Sequence, residues 1–176
     1  MTKSIMQERI NDFITNFGVI ISAEFIDWLK VNGFFTVPAS TKYHGSFEGG
    51  LYEHSSLVAK KLLDLTNKNN LIWQNERSPK LIGMFHDLCK IKSYVKVDDK
   101  YKWNNQQLLC GHGEKSVILL QRFMQLTEEE IMCIRWHMGA FSDKDNLDYY
   151  RRAVKRYPNV LWTHHADMLV SQCMGV

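Results

Sequence analysis

Proline is scarce in this chain, three residues in 176, so little interrupts a helix from within, and long stretches of 3.6-residue apolar periodicity point to a mostly helical domain with few strands. The four cysteines, Cys89, Cys110, Cys133 and Cys173, are scattered with no CxxC pair. That spacing suggests neither a zinc knuckle nor a disulfide framework, and the thiols are expected to be core or half-buried groups. No segment approaches the roughly 18 apolar residues of a membrane span, and the stretch opening Met1, Thr2, Lys3 lacks the apolar run of a signal peptide. A cytoplasmic protein that avoids membranes is therefore expected. Charge of one sign is also short: the formal net charge is only +3, which permits a phosphate-bearing substrate without requiring a large nucleic-acid surface. Repeats and low-complexity tracts are absent. With 45% hydrophobic residues, the chain can bury one core and is too short for a second independent one.

The periodicity predicts helices over residues 4–17 and 22–32, then a loop from Phe35 to Gly50 marked by Pro38 and the pair Gly49-Gly50. From Leu51 to Thr66 a stripe of Leu51, Val58, Leu62 and Leu65 carries His54 with it. A helix from Pro79 to Ile91 is expected to bury Leu81, Ile82, Phe85, Leu88 and Cys89, which sets His86-Asp87 beside a core. Tyr94-Val95-Lys96-Val97 and Tyr101-Lys102-Trp103 alternate around Asp98-Asp99-Lys100 as an exposed β-hairpin. The next helix should run from Gly113 to Gln125, with His112 just ahead of it and Val117, Leu120 and Met124 facing inward. Thr127 and Glu130 form a capping box for a helix that buries Ile131, Ile134 and Met138 and carries His137 at its inward edge. Two last helices are expected over 146–157 and 159–172, the second placing His164 and Asp167 on one face. The basic run Arg151, Arg152, Lys155, Arg156 reads as a solvated helix face.

Four of the seven histidines, His54, His86, His137 and His164, thus project toward apolar faces together with Asp87 and Asp167. Singly, each is most simply a core histidine satisfied by a backbone carbonyl. Jointly they are costly to bury unless they pair or bind metal. Imidazoles mixed with carboxylates suit an octahedral or expanded transition-metal site rather than the thiolate tetrahedron of structural zinc, and donors drawn from several helices fit a site inside a bundle.

His54, then His86-Asp87 within Gly83-Met84-Phe85-His86-Asp87-Leu88-Cys89-Lys90, then Asp167 within His165-Ala166-Asp167, resembles the H…HD…D signature of the HD superfamily of metal-dependent phosphohydrolases. The likeness spans residues 36–172 and rests on order, spacing and helical placement together. It implies an all-α fold, an HD-domain helical bundle with a small β-hairpin insertion. With the chain length, which allows one domain over 1–176, it places the metal-binding core at 36–172, and the helices of 1–35 are expected to pack on that core. By the same resemblance His54, His86, Asp87 and Asp167 hold a primary metal. His112 and His137 occupy the intervals where some members add ligands for a second. The cofactor expected is one or two divalent ions, with Mn, Fe, Co or Ni preferred to Mg or Zn. Pro38 through His44, Gly49-Gly50-Leu51 and Glu53-His54-Ser55 also resemble the opening of the HD domain in certain bacterial 3′-to-5′ exoribonucleases, which would put His44 near the substrate. Their separate RNA-binding OB domain has no counterpart here, so the chain looks more like the short, free-standing HD hydrolases.

The activity implied is hydrolysis of a phosphomonoester or phosphodiester of a nucleotide or short oligonucleotide by metal-activated water. Asp87 would serve both as ligand and as the group that orients or deprotonates the water. Lys115, one turn into its helix, and Lys90 are the candidates for the substrate phosphate; a solvated side chain and a structural ion pair are their respective alternatives. Glu114 is read either as a residue orienting a ligand histidine or as a first-turn glutamate facing the helix dipole. Trp136 and Trp162 read as packing residues before they read as base-stacking ones. The expected partner is a small phosphorylated substrate, a nucleotide by preference, with no membrane and no long nucleic acid. The alternative from another class is a non-catalytic HD-type regulatory module that binds a nucleotide or metal; intact ligand positions speak against it. Absent cysteine clusters speak against a structural zinc protein.

Overall fold

The computed structural model describes residues 3–108, 111–141 and 146–176. Cys110, read above as a core or half-buried thiol, lies outside them. The elements are α1 (Lys3–Phe17), α2 (Ala23–Val31), α3 (Gly50–Asn69), α4 (Ser78–Phe85), a 3-10 helix (Leu88–Lys92), the hairpin β1 (Tyr94–Val97) and β2 (Lys100–Trp103), α5 (His112–Leu120), α6 (Glu128–Arg135), a 3-10 turn (Gly139–Phe141), α7 (Leu147–Arg156) and α8 (Asn159–Met168), which continues as a π-helical stretch (Leu169–Met174). The fold is all-helical with one small antiparallel hairpin. None of its helices is long and apolar enough to cross a membrane, among the described residues.

Local chemistry accounts for the boundaries. Ser22 opens α2 by accepting the Phe25 N–H at 3.2 Å. The Thr127–Glu130 capping box closes in both directions at α6: Thr127 Oγ1 accepts the Glu130 N–H, and Glu130 Oε2 accepts the Thr127 N–H, satisfying two donors the helix start would leave bare. The hairpin turns on Asp98 and Asp99 alone, at φ of 49° and 59°, the two left-handed positions of a type I′ turn. Lys100 therefore belongs to the strand, paired with Val97, rather than to the turn.

One contiguous apolar cluster runs from Ile10 to Val170. Its densest part is aromatic: Phe13 lies within 5.4–6.3 Å of the Phe17, Phe34, Phe35, Tyr52 and Phe85 rings, and Phe25 stacks on Phe123 at 4.6 Å. Edge and stacked ring contacts of this kind add about 0.5–1.5 kcal/mol each beyond area burial, and here they fasten α1 and α2 to α3 and α4. A buried polar network ties α6 to the start of α4. Glu130 accepts from the Arg77 guanidinium and from Ser78 Oγ, while its neighbour Glu129 accepts from the Gln74 N–H and from Asn159 Nδ2.

Three helices stop short of expectation, two of them with consequences for the site. α4 stops at Phe85 instead of reaching Ile91, because the His86 ring takes the Gly83 carbonyl and Asp87, at φ −102° and ψ 15°, leaves helical geometry. α6 stops at Arg135, so His137 and Met138 lie beyond the helix; Met138 is consequently exposed instead of buried, and Cys133 fills the core position. α5 likewise ends at Leu120, leaving Met124 half-buried. Cys89 and Cys133 are buried, but Cys173 is exposed, contrary to the expectation for all four thiols.

α3 and α4 approach closely because position 83 has no side chain. A Cβ there would lie 2.4 Å from the Ala59 Cα and 2.7 Å from its nitrogen, both backbone atoms of α3. Gly83→Ala is expected to cost about 1–3 kcal/mol by forcing the helices apart, and to weaken divalent-metal binding because His54 and His86 stand on opposite sides of that contact. Thermal melting with and without Mn2+ reads both effects. An unchanged melting temperature would show that the helices do not meet as closely as described.

Candidate metal centre

His54 rides on the buried face of α3, His86 and Asp87 occupy the turn between α4 and the 3-10 helix, His112 opens α5, His137 follows α6, and Asp167 lies near the end of α8. Five elements thus converge. Close approach of α5 to α6 depends on Gly113, where a Cβ would meet the Arg135 and Ile134 carbonyl oxygens at 2.4 and 2.6 Å; this sets His112 beside His137, ring centres 5.2 Å apart. His54, His86, Asp87, His137 and Asp167 are all buried, and His112 is half-buried.

Three of the imidazoles have the same orientation. His54 Nδ1 lies 2.7 Å from the Val176 backbone oxygen, His86 Nδ1 2.8 Å from the Gly83 carbonyl, and His137 Nδ1 2.7 Å from the Ile134 carbonyl. A carbonyl only accepts, so each Nδ1 carries the proton, and in the neutral ring each Nε2 presents a bare lone pair. Those lone pairs face one another. His54 Nε2 and His86 Nε2 are 3.2 Å apart, and His137 Nε2 is buried with no hydrogen-bond partner among the described residues. Two acceptors at hydrogen-bond distance with no proton between them repel, unless a cation takes the space.

The carboxylates complete the arrangement. Asp167 Oδ1 lies 3.2 Å from His54 Nε2 and 3.8 Å from His86 Nε2; Asp87 Oδ2 lies 3.7 and 3.5 Å from the same two nitrogens. Donors about 2.1 Å from a common ion stand about 3.0 Å apart at octahedral right angles and about 3.4 Å apart in a tetrahedron. The observed spacings are those of ligands around one ion with slight expansion. A second set shares Asp87: its Oδ1 is 3.5 Å from His137 Nε2 and 2.5 Å from His112 Nε2. Three overlapping groups, His54–His86–Asp87, His86–His137–Asp167 and Asp87–His112–His137, each offer donor atoms close enough together to hold an ion.

Charge at the centre is distributed unevenly. Burial pushes the His86 imidazole down to about 3, keeping it neutral. Burial would lower His112 too, but the Asp87 carboxylate and then Cys89 outweigh it and carry its pKa up to about 10. His112 is thus bonded at both ends, Nε2 on Asp87 and Nδ1 on Cys89 Sγ at 3.1 Å. Burial would raise Asp87, yet the charges of Lys90, His112 and His86 hold it well below the usual carboxylate range.

The other candidates fall in different places. His44 stands against the centre, its ring 4.8 Å from that of His54 and its Nε2 buried without a hydrogen-bond partner among the described residues; burial and the Lys90 charge lower its pKa to about 4. Lys90 lines the same cleft, with its ammonium 2.6 Å from Asp87 Oδ2. Lys115 is not among the cleft-lining residues and donates instead to Gln107 Oε1 at 2.5 Å. Glu114 pairs with Arg135 rather than with a histidine. His164 does not join the cluster: it is half-buried and its Nδ1–H donates to the His137 carbonyl at 2.7 Å, so it supports the segment that carries a cluster histidine. His165 is exposed. Trp136 is a buried packing residue, with the Arg135 guanidinium over its ring at 4.0 Å and the Tyr150 ring at 5.5 Å; Trp162, half-buried, lies 6.4 Å from the His165 ring. Arg151, Arg152 and Arg156 are exposed and engaged locally with Asp148, Tyr149 and Glu128.

The cleft over the centre has a volume of about 320 Å³ and is lined on its polar side by His44, Asp87, Lys90, His112 and Asp167. A larger groove of about 740 Å³ between α6 and α7 contains none of the clustered histidines or aspartates. Size favours that groove, but chemistry favours the smaller cleft, because among the described residues only there do buried nitrogens without a hydrogen-bond partner face ionised carboxylates. Sequence patterns had not marked Cys89 as the partner of His112; its position two residues after Asp87 was the available signal.

These charges fix how stability of the metal-free protein varies with pH. Below the ordinary value of 6.5, the unfolded chain takes up protons that folded His86 and His44 refuse until about pH 3 and 4, so stability falls as pH falls through that interval. His112 has the opposite sign: its contribution is complete below 6.5 and is lost as pH rises toward 10,. Chemical denaturation with a chelator present should therefore give a maximum near pH 6.5. A stability that keeps rising to pH 9 would contradict the charged state of His112.

No family model matches the chain, and neither does any curated protein or any solved structure. What its own geometry establishes is an all-helical fold with a small hairpin around a cluster of buried histidines and aspartates able to coordinate a metal ion, an arrangement consistent with HD-like proteins in general.

Proposed function

We propose that this protein is an HD-type metal-dependent phosphohydrolase that cleaves a phosphate ester of a nucleotide or a similarly small molecule. The observation that carries the reading is the mutual spacing of the Nε2 atoms of His54 and His86 with the carboxylates of Asp87 and Asp167, 3.2–3.8 Å throughout. Those four residues would hold the first ion, and Asp87, His112 and His137 would hold a second. Nitrogen and oxygen donors without thiolate favour Mn, Fe, Co or Ni. A divalent ion at this position would supply Lewis-acid activation of water and charge neutralisation at the phosphoryl oxygens.

The chain's own groups have definable parts in that reaction. Asp87 stays ionised through the neutral range and offers a carboxylate oxygen to a water proton,. Lys90, bonded to Asp87 Oδ2, fixes the orientation of that carboxylate and leaves a positive charge on the cleft wall for a substrate phosphate,. His44 is neutral above about pH 4, so it can donate or accept one hydrogen bond at the substrate without adding charge. Burial of five of the six ligands, all but His112, keeps bulk water from competing for the same donors,.

The test is hydrolysis of bis-p-nitrophenyl phosphate and a panel of nucleotides with Mn, Fe, Co, Ni or Mg, comparing the intact chain with Asp87→Asn. Activity that requires a transition metal and falls by a factor of roughly 100 or more in the variant is expected. Stoichiometric metal without turnover on any ester would replace this reading with that of a non-catalytic binding module.

A further inference from the structure

Three large apolar side chains stand at the mouth of the cleft with no folding role to account for them. Tyr43 is 78% exposed, Phe141 77% and Met138 38%. Single exposed apolar residues are ordinary on protein surfaces, but these three line one cleft whose floor is Asp87, His112 and Asp167. Among the described residues neither the Tyr43 nor the Phe141 ring stacks on another aromatic, whereas the buried rings form a dense contact network. They come from separate segments, one before α3 and one after α6. Both are backed by bonded backbone: the Lys42 and Tyr43 N–H groups donate to Ser40 Oγ at 3.1 and 2.9 Å, and the Phe141 N–H donates to the Met138 carbonyl at 3.3 Å.

We propose that Tyr43 and Phe141 are the two jaws of an aromatic clamp, with Met138 beside them, that receives the nucleobase of a mononucleotide whose phosphate sits at the histidine–aspartate centre. The proposal rests on the phosphohydrolase reading for the phosphate end and names the substrate class at the other end. A cleft with a metal-ligating floor, the Lys90 ammonium on its wall and two exposed π-faces at its mouth selects a ligand with an anionic end and a flat aromatic end,. Sugar phosphates offer only the first. The volume, about 320 Å³, is at the lower limit of about 300–1,000 Å³ for small-molecule sites, enough for one nucleotide and too small for several. Stacking tolerates any base, because every base has a π-face, so the clamp discriminates nucleotide from non-aromatic ester more strongly than one base from another.

The experiment uses the full chain loaded with Mn2+ and measures kcat, KM and calorimetric Kd for adenosine and uridine monophosphates, ribose 5-phosphate and p-nitrophenyl phosphate. The variants are Tyr43→Ala, Phe141→Ala and the conservative pair Tyr43→Phe and Phe141→Tyr. Either alanine should raise KM and Kd for both nucleotides about tenfold or more, the scale of one stacking contact. Ribose 5-phosphate should be unaffected, and the conservative variants should behave as the intact chain. Equal loss on p-nitrophenyl phosphate would extend the ligand class to aryl phosphates in general and overturn the nucleotide assignment. Nucleotide affinity unchanged in both alanine variants, or ribose 5-phosphate bound as tightly as the nucleotides by the intact chain, would overturn the clamp. If no ester is hydrolysed yet nucleotide Kd depends on both rings, the clamp stands and the hydrolase reading fails.

Discussion

Three imidazole N–H groups pinned to backbone oxygens govern this structure. Because the Val176, Gly83 and Ile134 oxygens fix the Nδ1 protons of His54, His86 and His137, three bare nitrogens are forced to face inward at one point. Each pinning oxygen comes from a place where regular helix gives way or the chain closes over the core: the end of α4, the end of α6 and the stretch after α8. Regular helices would have consumed the Gly83 and Ile134 carbonyls in their own ladders. Breaking α4 at Phe85 and α6 at Arg135 therefore does chemical work, releasing acceptors that set the tautomers of two site histidines.

Two buried polar assemblies show by contrast what that orientation means. Around Glu129 and Glu130 the bonds close: Arg77, Ser78, Thr127, Gln74 and Asn159 all donate to a carboxylate that can accept them. Such a network is satisfied by itself and specifies how α4, α6 and α8 dock. Around Asp87 the balance is unfinished. His137 Nε2 and His44 Nε2 are buried without hydrogen-bond partners among the described residues, and His54 Nε2 confronts His86 Nε2. Buried polar atoms left in this state cost on the order of 1–3 kcal/mol each, a cost a stable fold carries where something else is meant to bind.

Much of this was legible in the sequence, for reasons tied to period. His54 falls on the stripe of Leu51, Val58 and Leu62, so its inward direction follows from helix geometry; the Thr127–Glu130 cap and the hairpin have signatures that depend only on near neighbours. The all-helical class followed from the same periodicity. Irregular segments were not legible in this way. The apolar pattern continues through Leu88, Cys89 and Ile91, which disguised the change from α-helix to 3-10 helix after Phe85. Met138 and Phe141 lie past the end of α6, where 3.6-residue bookkeeping no longer says which side faces water. His164 shares a helical face with Asp167, yet the carbonyl of His137 intercepts it before it reaches the centre. Lys115 has the helical position expected of it, but Gln107 stands where its ammonium ends.

The centre's ability to hold a cation is the claim on which the rest depends. A crystal of the full chain grown with excess Mn2+ and measured at a wavelength where manganese scatters anomalously tests it directly. The geometry predicts an anomalous peak about 2.0–2.2 Å from the Nε2 atoms of His54 and His86 and in reach of Asp87 and Asp167, with a second, weaker peak allowed beside His112 and His137. An empty centre at saturating manganese, with the His54 and His86 nitrogens still facing each other, would contradict it.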